Sequence, residues 1–553
     1  MSNALERINL QIMWERLIAV VEEQGQTLMR AAFSPIVRES GDLSAGIFDL
    51  QGRMMAQAVT GTPGHINTMA ASVNHFIEHF PPETMAPGDI YLTNDPWMGA
   101  GHLNDFVLAK PCFLDGRLIG LNSCTSHLAD IGGRSFGPDA ADVHEEGIYI
   151  PPIKLVDKGA INETLMAMLW ANSRVPVQNE GDIYALIACC EVGEERLSTM
   201  MKEFGLNTLD GLSDHIIETS RSATLERIRA WPNGTWQSEM MVDGYDFEIK
   251  IVAAMTITDD DLSIDFAGSS GRSRYGINCP LTYSQAYTVF GLKCIVAPDI
   301  PNNAGALEPF IVTAPEGSIM NAQKPAPVVM RHIVGQLLPD AAFGCLHQAA
   351  PGKVPAEGTS VLWDLSLRGG FGHHQGANQT QFAIELVHNG GTGGRPQGDG
   401  LDATAYPSGV MGSQVEMTES TAPMIVWRRE LRPDSGGPGR YRGGHGQIIE
   451  IGSSEEAPFQ LAAALDRIVY PARGREGGKD GASGIVRLSS GIPLNGKGEQ
   501  DIPPDDRLWV ETPGGGGYGD PAERNPAALA ADLRNGLVTS EAAQEHYALA
   551  SKD

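Results

Sequence analysis

The sequence predicts a mixed α+β protein of several domains, with an N-terminal helix, a hairpin region that gathers polar side chains, and a β-rich C-terminal half. Three observations carry this prediction. Apolar residues recur at helical spacing near the N-terminus, two β-leaning apolar runs flank an Asp-Gly turn near residue 115, and 423–519 reads as short strands joined by Gly-rich turns. A chain of 553 residues is long enough for about two to four domains. The expected divisions are 1–232 (α+β, with the hairpin), 233–420 (central mixed α/β) and 421–553 (Gly-rich β region and helical tail).

Leu10, Met13, Leu17, Val20 and Val21 share one helical face, so 4–31 is expected to be an amphipathic helix. Short strands follow within 43–57, then a helix over 66–80 that stops at Pro81-Pro82. FVLAKPCF and LIGLNSC, on either side of Asp115-Gly116, predict a hairpin. Helical patterns dominate 178–231, alternating runs over 236–320 suggest a sheet, and a mixed core continues to 400. Asn525 as N-cap, Pro526 at the first helical position and Gly536 past the end mark a short terminal helix.

Composition excludes several classes. A net charge of −28 argues against a nucleic-acid or anionic-membrane surface. No run approaches the roughly eighteen apolar residues of a membrane span, and the N-terminus lacks the apolar core of a secretory signal. Seven scattered cysteines without a CxxC pair suit reduced thiols, so the expected location is the cytoplasm.

The hairpin carries the chemistry. GHLND supplies His102 and Asp105 at its entry, and SHLAD supplies His127 and Asp130 at its exit. A two-residue turn places Asp105 opposite Ser126, whereas one bulged residue, to which Pro111 hints, places it opposite His127. Either register brings the polar ends together, since paired strands lie about 5 Å apart. Two imidazoles and a carboxylate with open positions suit Zn, Mn or Fe as a working site. The other reading is a polar hairpin base in which each His bonds its neighbouring Asp.

Other motifs point less far. Gly133 to Gly137 matches GxSxG around Ser135, but Pro138-Asp139 follows where a nucleophile elbow requires a helix. His75, Glu78 and His79 form HxxEH on the polar face of the 66–80 helix, which a solvated face explains. Gly514 to Gly519 satisfies GxGxxG too near the C-terminus for a βαβ unit, and is expected to be a flexible, partner-wrapping loop. GREGGKD at 474–480 has Asp480 where a P-loop needs Ser or Thr.

Taken in order, YLTNDPWMGAGHLNDFVLAKP, SHLADIGG, EGIYIPPIKL, NCPLTYSQAY, LRPDSGGPGRYRGGHGQ and TPGGGGYGDP resemble the B-subunit family of ATP-dependent hydantoinases and 5-oxoprolinases, from about residue 8 to 545. The resemblance implies a larger A-type ATPase subunit, two copies of each in the complex, that binds ATP with Mg and phosphorylates a cyclic amide, which this chain then hydrolyses at a metal. It implies metal ligands at His102, Asp105 and His127, making the hairpin region metal-bearing, with Asp130 orienting a ligand imidazole. Asp42 is the candidate catalytic base, weighed against a turn aspartate after Gly41; Glu39 and Asp130 are the alternatives. Two rival functions are a subunit of a ketone carboxylase and a non-catalytic scaffold. Many relatives carry a His-Gly-Gly run after NDP-Tyr where this chain has Trp97-Met98-Gly99, which leaves the ring substrate open.

Overall fold

The computed structural model describes residues 2–59, 61–134, 136–371 and 379–547. Helices and four sheets combine into a multi-domain α+β architecture.

The first sheet contains β1 (Leu43–Phe48), β2 (Met54–Gln57), β3 (Ile90–Thr93), β4 (Asp105–Leu114), β5 (Arg117–His127), β6 (Ile153–Asp157) and β7 (Ala160–Ile161), in the order β2-β1-β5-β4-β3-β6-β7. Strand alternation sends Phe106 and Leu108 to one face and Val107 and Ala109 to the other. Both faces are covered. The Ser2–Ala31 and Pro176–Phe204 helices pack on the first through Leu17, Val21, Leu28, Leu186 and Leu197, and the Pro63–His79 helix packs on the second through Met69, Val73 and Phe76. That helix begins three residues before the expected start because Pro63 sits in its first turn, where its missing N–H is not needed.

The β4–β5 hairpin adopts the bulged register. Asp115 (φ 49°) and Gly116 (φ 80°) make the tight turn, the shift falls between Cys112 and Phe113, and Asp105 pairs with His127. Pro111 lies beyond the last β3 partner on β4, so no ladder donor is missed there.

A second core surrounds β8 (Gly234–Val242), β9 (Ile249–Ile257), β10 (Leu262–Asp265) and β11 (Phe310–Thr313). The expected sheet over 236–320 is interrupted by the Leu281–Val296 helix. β10 and β11 are parallel, and parallel neighbours need a crossover of this kind. The third core lies between two four-stranded sheets. One contains β12 (Trp363–Gly369), β13 (Phe382–His388) and the strands at 459–464 and 497–502; the other contains the strands at 424–431, 447–453, 485–488 and 508–511. β12 is hydrogen-bonded to the 459–464 strand, so this sheet runs across residue 420, where the sequence suggested a division.

The 514–519 segment is not a flexible loop. Gly514 to Gly517 are buried, and the N–H groups of Gly515, Gly516 and Gly517 donate to Gly444, Glu357 and Lys479 at 3.0, 2.8 and 2.8 Å. A Cβ on Gly514 would stand 1.7 Å from the Ser435 carbonyl oxygen, so only glycine permits this close backbone packing.

Candidate metal centre

The hairpin base is where the first core meets the others. His102, Asp105 and His127 are buried and offer ligand atoms within 4.8 Å of one another. The β4–β5 register puts Asp105 beside His127, with Nδ1 of His127 3.2 Å from Asp105 Oδ1. His102 curls back after Gly101, whose φ of 92° and closeness to Arg331 (2.7 Å from a would-be Cβ to Cδ) admit only glycine. Its Nδ1–H donates to the Val329 carbonyl at 2.9 Å, which leaves the Nε2 lone pair facing Asp105 Oδ1 at 2.6 Å.

That approach lacks hydrogen-bond geometry, and His102 Nε2 is left buried without a partner. His127 Nε2 and Glu385 Oε2 are likewise unpartnered, although they stand 3.2 Å apart. A buried lone pair that faces a carboxylate oxygen is costly, and a cation between His102 Nε2 and Asp105 Oδ1 would satisfy both. Two nitrogens and one carboxylate oxygen form a donor set that fits Zn, Mn or Fe. The outer contacts fit as well: Val329 fixes the His102 tautomer, Glu385 faces the far nitrogen of His127, and Arg331 holds Asp105 Oδ2.

The electrostatics follow the packing. Burial raises Asp105, but the charges of neighbouring His65 and Arg331 overturn this and hold it well below the usual carboxylate range. Burial, followed by Arg331, pushes His102 down to about 3. His127 is drawn well above its ordinary value because Glu385 and Asp105 outweigh its burial.

A cavity of about 40 Å³ adjoins these groups; Asp42, His65, Phe136, His332, Asp364 and Glu385 are among its walls. Asp42 is partly buried, and its Oδ1 accepts from the Thr62 hydroxyl at 2.8 Å and stands 3.5 Å from His65 Nδ1. His65 Nε2 is 2.9 Å from Asp105 Oδ2, so a polar chain joins the candidate base to the candidate ligand. Arg331 donates from Nε to Ala100 O at 2.6 Å and lies 4.3 Å over the Tyr283 ring.

Asp130 does not orient an imidazole. It binds the guanidinium and backbone N–H of Arg174, and Glu385 takes the position facing His127. Glu39 pairs with Arg38 at 2.9 Å and does not line the cavity. Ser135 lies outside the described residues; its neighbour Phe136 stands edge-on to His102 and His127. Trp97 donates its indole N–H to Ala322 O at 2.8 Å and packs against the first core. His75 and Glu78 pair at 3.2 Å at the helix surface.

His65, Arg331, His332, Asp364 and Glu385 were not found from sequence. Only His65 had a readable signal: Thr62-Pro63 marks a helix start and puts His65 in the first turn, three residues from Thr62. Among the described residues no helix is long and apolar enough to cross a membrane.

The sequence model of one family, described as Hydantoinase B/oxoprolinase, matches residues 6–521. An uncharacterised protein of Methanocaldococcus jannaschii is 30% identical over 98% of this chain and 96% of its own length. A putative D-/L-hydantoinase B subunit from a Pseudomonas species is 28% identical over 99% and 96%. The crystal structure of the ATP-dependent caprolactamase from Pseudomonas jessenii superposes with a TM-score of 0.88 at 27% identity, covering 98% of this chain and 96% of that one.

Proposed function

The chain belongs to the hydantoinase B/oxoprolinase family, and from that premise we propose that it is the B subunit of an ATP-dependent cyclic amidohydrolase. In this reading a partner subunit phosphorylates the carbonyl oxygen of a hydantoin, lactam or 5-oxoproline-like ring, and this chain hydrolyses the activated ring. The observation that carries it is the convergence of His102, Asp105 and His127 on one point, with the His102 Nε2 lone pair left without a partner among the described residues.

An unactivated amide is a poor electrophile, and phosphorylation turns its oxygen into a leaving group. A bound Zn, Mn or Fe would supply Lewis-acid polarisation and a template there. His102, Asp105 and His127 are its proposed ligands. Asp42 faces the same cavity, with one oxygen held by Thr62, and takes the proton of the attacking water. His65 spans Asp42 and Asp105 and keeps both carboxylates oriented. Arg331 occupies Asp105 Oδ2, so that Asp105 would be held in place as a ligand. Phe136 covers the two imidazoles and excludes bulk water from them.

ATP with Mg belongs to the partner, proposed to be a larger A-type subunit in a complex of two of each. Relatives that carry the names of a hydantoinase B subunit and a caprolactamase beta subunit support a partner. The free cysteines suit a cytoplasmic complex. The test is co-expression with an A-type subunit and a screen of hydantoin, ε-caprolactam and 5-oxoproline for ATP-dependent opening, with metal content measured on the same complex. Two subunits that elute separately, or a complex that incorporates bicarbonate into a ketone instead of opening a ring, would overturn it.

A further inference from the structure

Asp364 is an acidic wall of the cavity that none of the steps above employs. It sits on β12, and strand register puts it on the same sheet face as Glu385 and Val387, all three lining the cavity with His102, His127 and Asp42. It is 6% exposed, and its Oδ1 has no hydrogen-bond partner. Glu385, two register positions away, already faces His127 at 3.2 Å. We propose that Asp364 is the catalytic proton donor to the ring nitrogen, and that it thereby decides whether the activated ring opens or reverts.

This inference rests on the proposed ring-opening reaction and concerns its outcome. Water adds to the ring carbon while Asp42 takes its proton, leaving a tetrahedral carbon with a hydroxyl, a phosphoryloxy group and the ring nitrogen. Two bonds can then break. Loss of the C–O bond to phosphate restores the cyclic amide, so one ATP is consumed and nothing opens. Loss of the C–N bond opens the ring, but the nitrogen cannot leave as an anion and needs a proton in competition with phosphate. Asp364 gives its carboxyl proton to that nitrogen, the C–N electron pair stays on nitrogen, the hydroxyl releases its proton to water as its oxygen becomes the carbonyl, and an amine and an acyl phosphate result. A second water releases phosphate from the acyl phosphate. The proton gained by Asp42 matches the one lost by Asp364, and both are reset by exchange with solvent between turnovers.

A donor in this role must hold its proton at neutral pH. Burial, reinforced by the neighbouring Glu385 carboxylate, keeps Asp364 well above the usual carboxylate range. A carboxyl unpaired on one oxygen inside a protein is retained in its neutral form, the form that donates.

Isotope transfer separates the two collapses. In H₂¹⁸O, reversion puts ¹⁸O into the carbonyl of the recovered ring, whereas opening puts it into the carboxyl product. The experiment uses the complex with the ATP-binding partner and whichever of ε-caprolactam, hydantoin and 5-oxoproline the wild type opens. Asp364→Asn is expected to keep assembly, metal content and ring-stimulated ATP consumption, while rings opened per ATP fall about 10²-fold or more and the recovered ring becomes labelled. Asp364→Glu, which retains a donor, should restore opening and suppress the label. Asp42→Asn, which blocks water addition, should leave the recovered ring unlabelled. If Asp364→Asn does not assemble, Asp364→Ser is read the same way. Unchanged rings per ATP, or a fall without ¹⁸O in the recovered ring, would overturn the assignment. A wild-type complex that opens no ring refutes the proposed function itself, and this inference with it.

Discussion

Raising the pH from about 5 to about 9 should loosen the wall behind His102 through a single carboxyl, that of Glu146. Glu146 is fully buried, and its Oε1 accepts from the N–H groups of Val328 and Val329 at 2.6 and 2.9 Å. Burial outweighs these two bonds and raises its pKa from 4.5 to about 8. A folded-state value above the unfolded one means that the folded protein holds the proton more tightly. The stabilisation is therefore complete below about 4.5 and is lost as the pH rises through about 8. At about 1.36 kcal/mol per unit, the shift amounts to roughly 4–5 kcal/mol. Glu146→Gln keeps the Oε1 acceptor and cannot ionise, so it should abolish this component. A chain with several cores does not unfold in one step, and the decisive readout is the difference between the two proteins in how their thermal midpoints change with pH. Because Val329 O holds His102 Nδ1, metal retention in the wild type should weaken over the same window and stay level in the variant. Parallel curves would refute the reasoning, showing that the Glu146 carboxyl is paired or solvated.

Three further outcomes are expected of the centre. His127→Ala should lose the metal, read by elemental analysis, while the circular dichroism spectrum is retained, since His127 ends a strand and is not among the hydrophobic core residues. Glu385→Gln should weaken metal affinity about 10- to 100-fold in a chelator competition, because the amide cannot stabilise the far nitrogen of His127 as a carboxylate does. Asp42→Asn should slow ring opening about 10²–10⁴-fold without changing metal content or the elution volume of the complex; near-normal turnover would make Asp42 a turn residue.

The parts of this molecule that sequence reveals are those fixed over short distances. The hairpin turn, its bulge and the pairing of Asp105 with His127 depend on Pro111, Asp115 and Gly116, all within a few residues. The Asn525–Pro526 cap is equally local, and Asn525 does accept from Ala527 N–H at 2.9 Å. The Gly514–Gly519 run misleads because glycine reads identically in a mobile loop and in a segment packed against neighbouring backbone. What distinguishes them is the company of Gly444, Glu357 and Lys479, contributed by segments more than thirty residues away. The crossover helix at Leu281–Val296 is hidden for a related reason: its mostly apolar sequence is buried almost all round and shows no polar stripe.

The same division of scale explains why the centre is half visible. A metal needs donors about 3 Å apart, and two ends of one hairpin supply them directly, so the proposed ligands lie within thirty residues, in the first His-Leu-x-Asp and the histidine of the second. Asp42 stands beside the hairpin, just before β1, but the proposed proton donor for a ring stands on a strand beyond the reach of the hairpin itself. Asp364 and Glu385 stand on β12 and β13, on the face turned away from the third core, and Arg331 and His332 lie between the second-core residues Met330 and Ile333, each in a stretch with no motif of its own. Their burial without full pairing is tolerable only once the three cores have docked around the cavity, and a lone Asp or Glu in a strand gives no sign of it. The proposed ligand set is thus encoded by one hairpin, whereas the residues that would choose between opening a ring and restoring it are encoded by the packing of the whole chain.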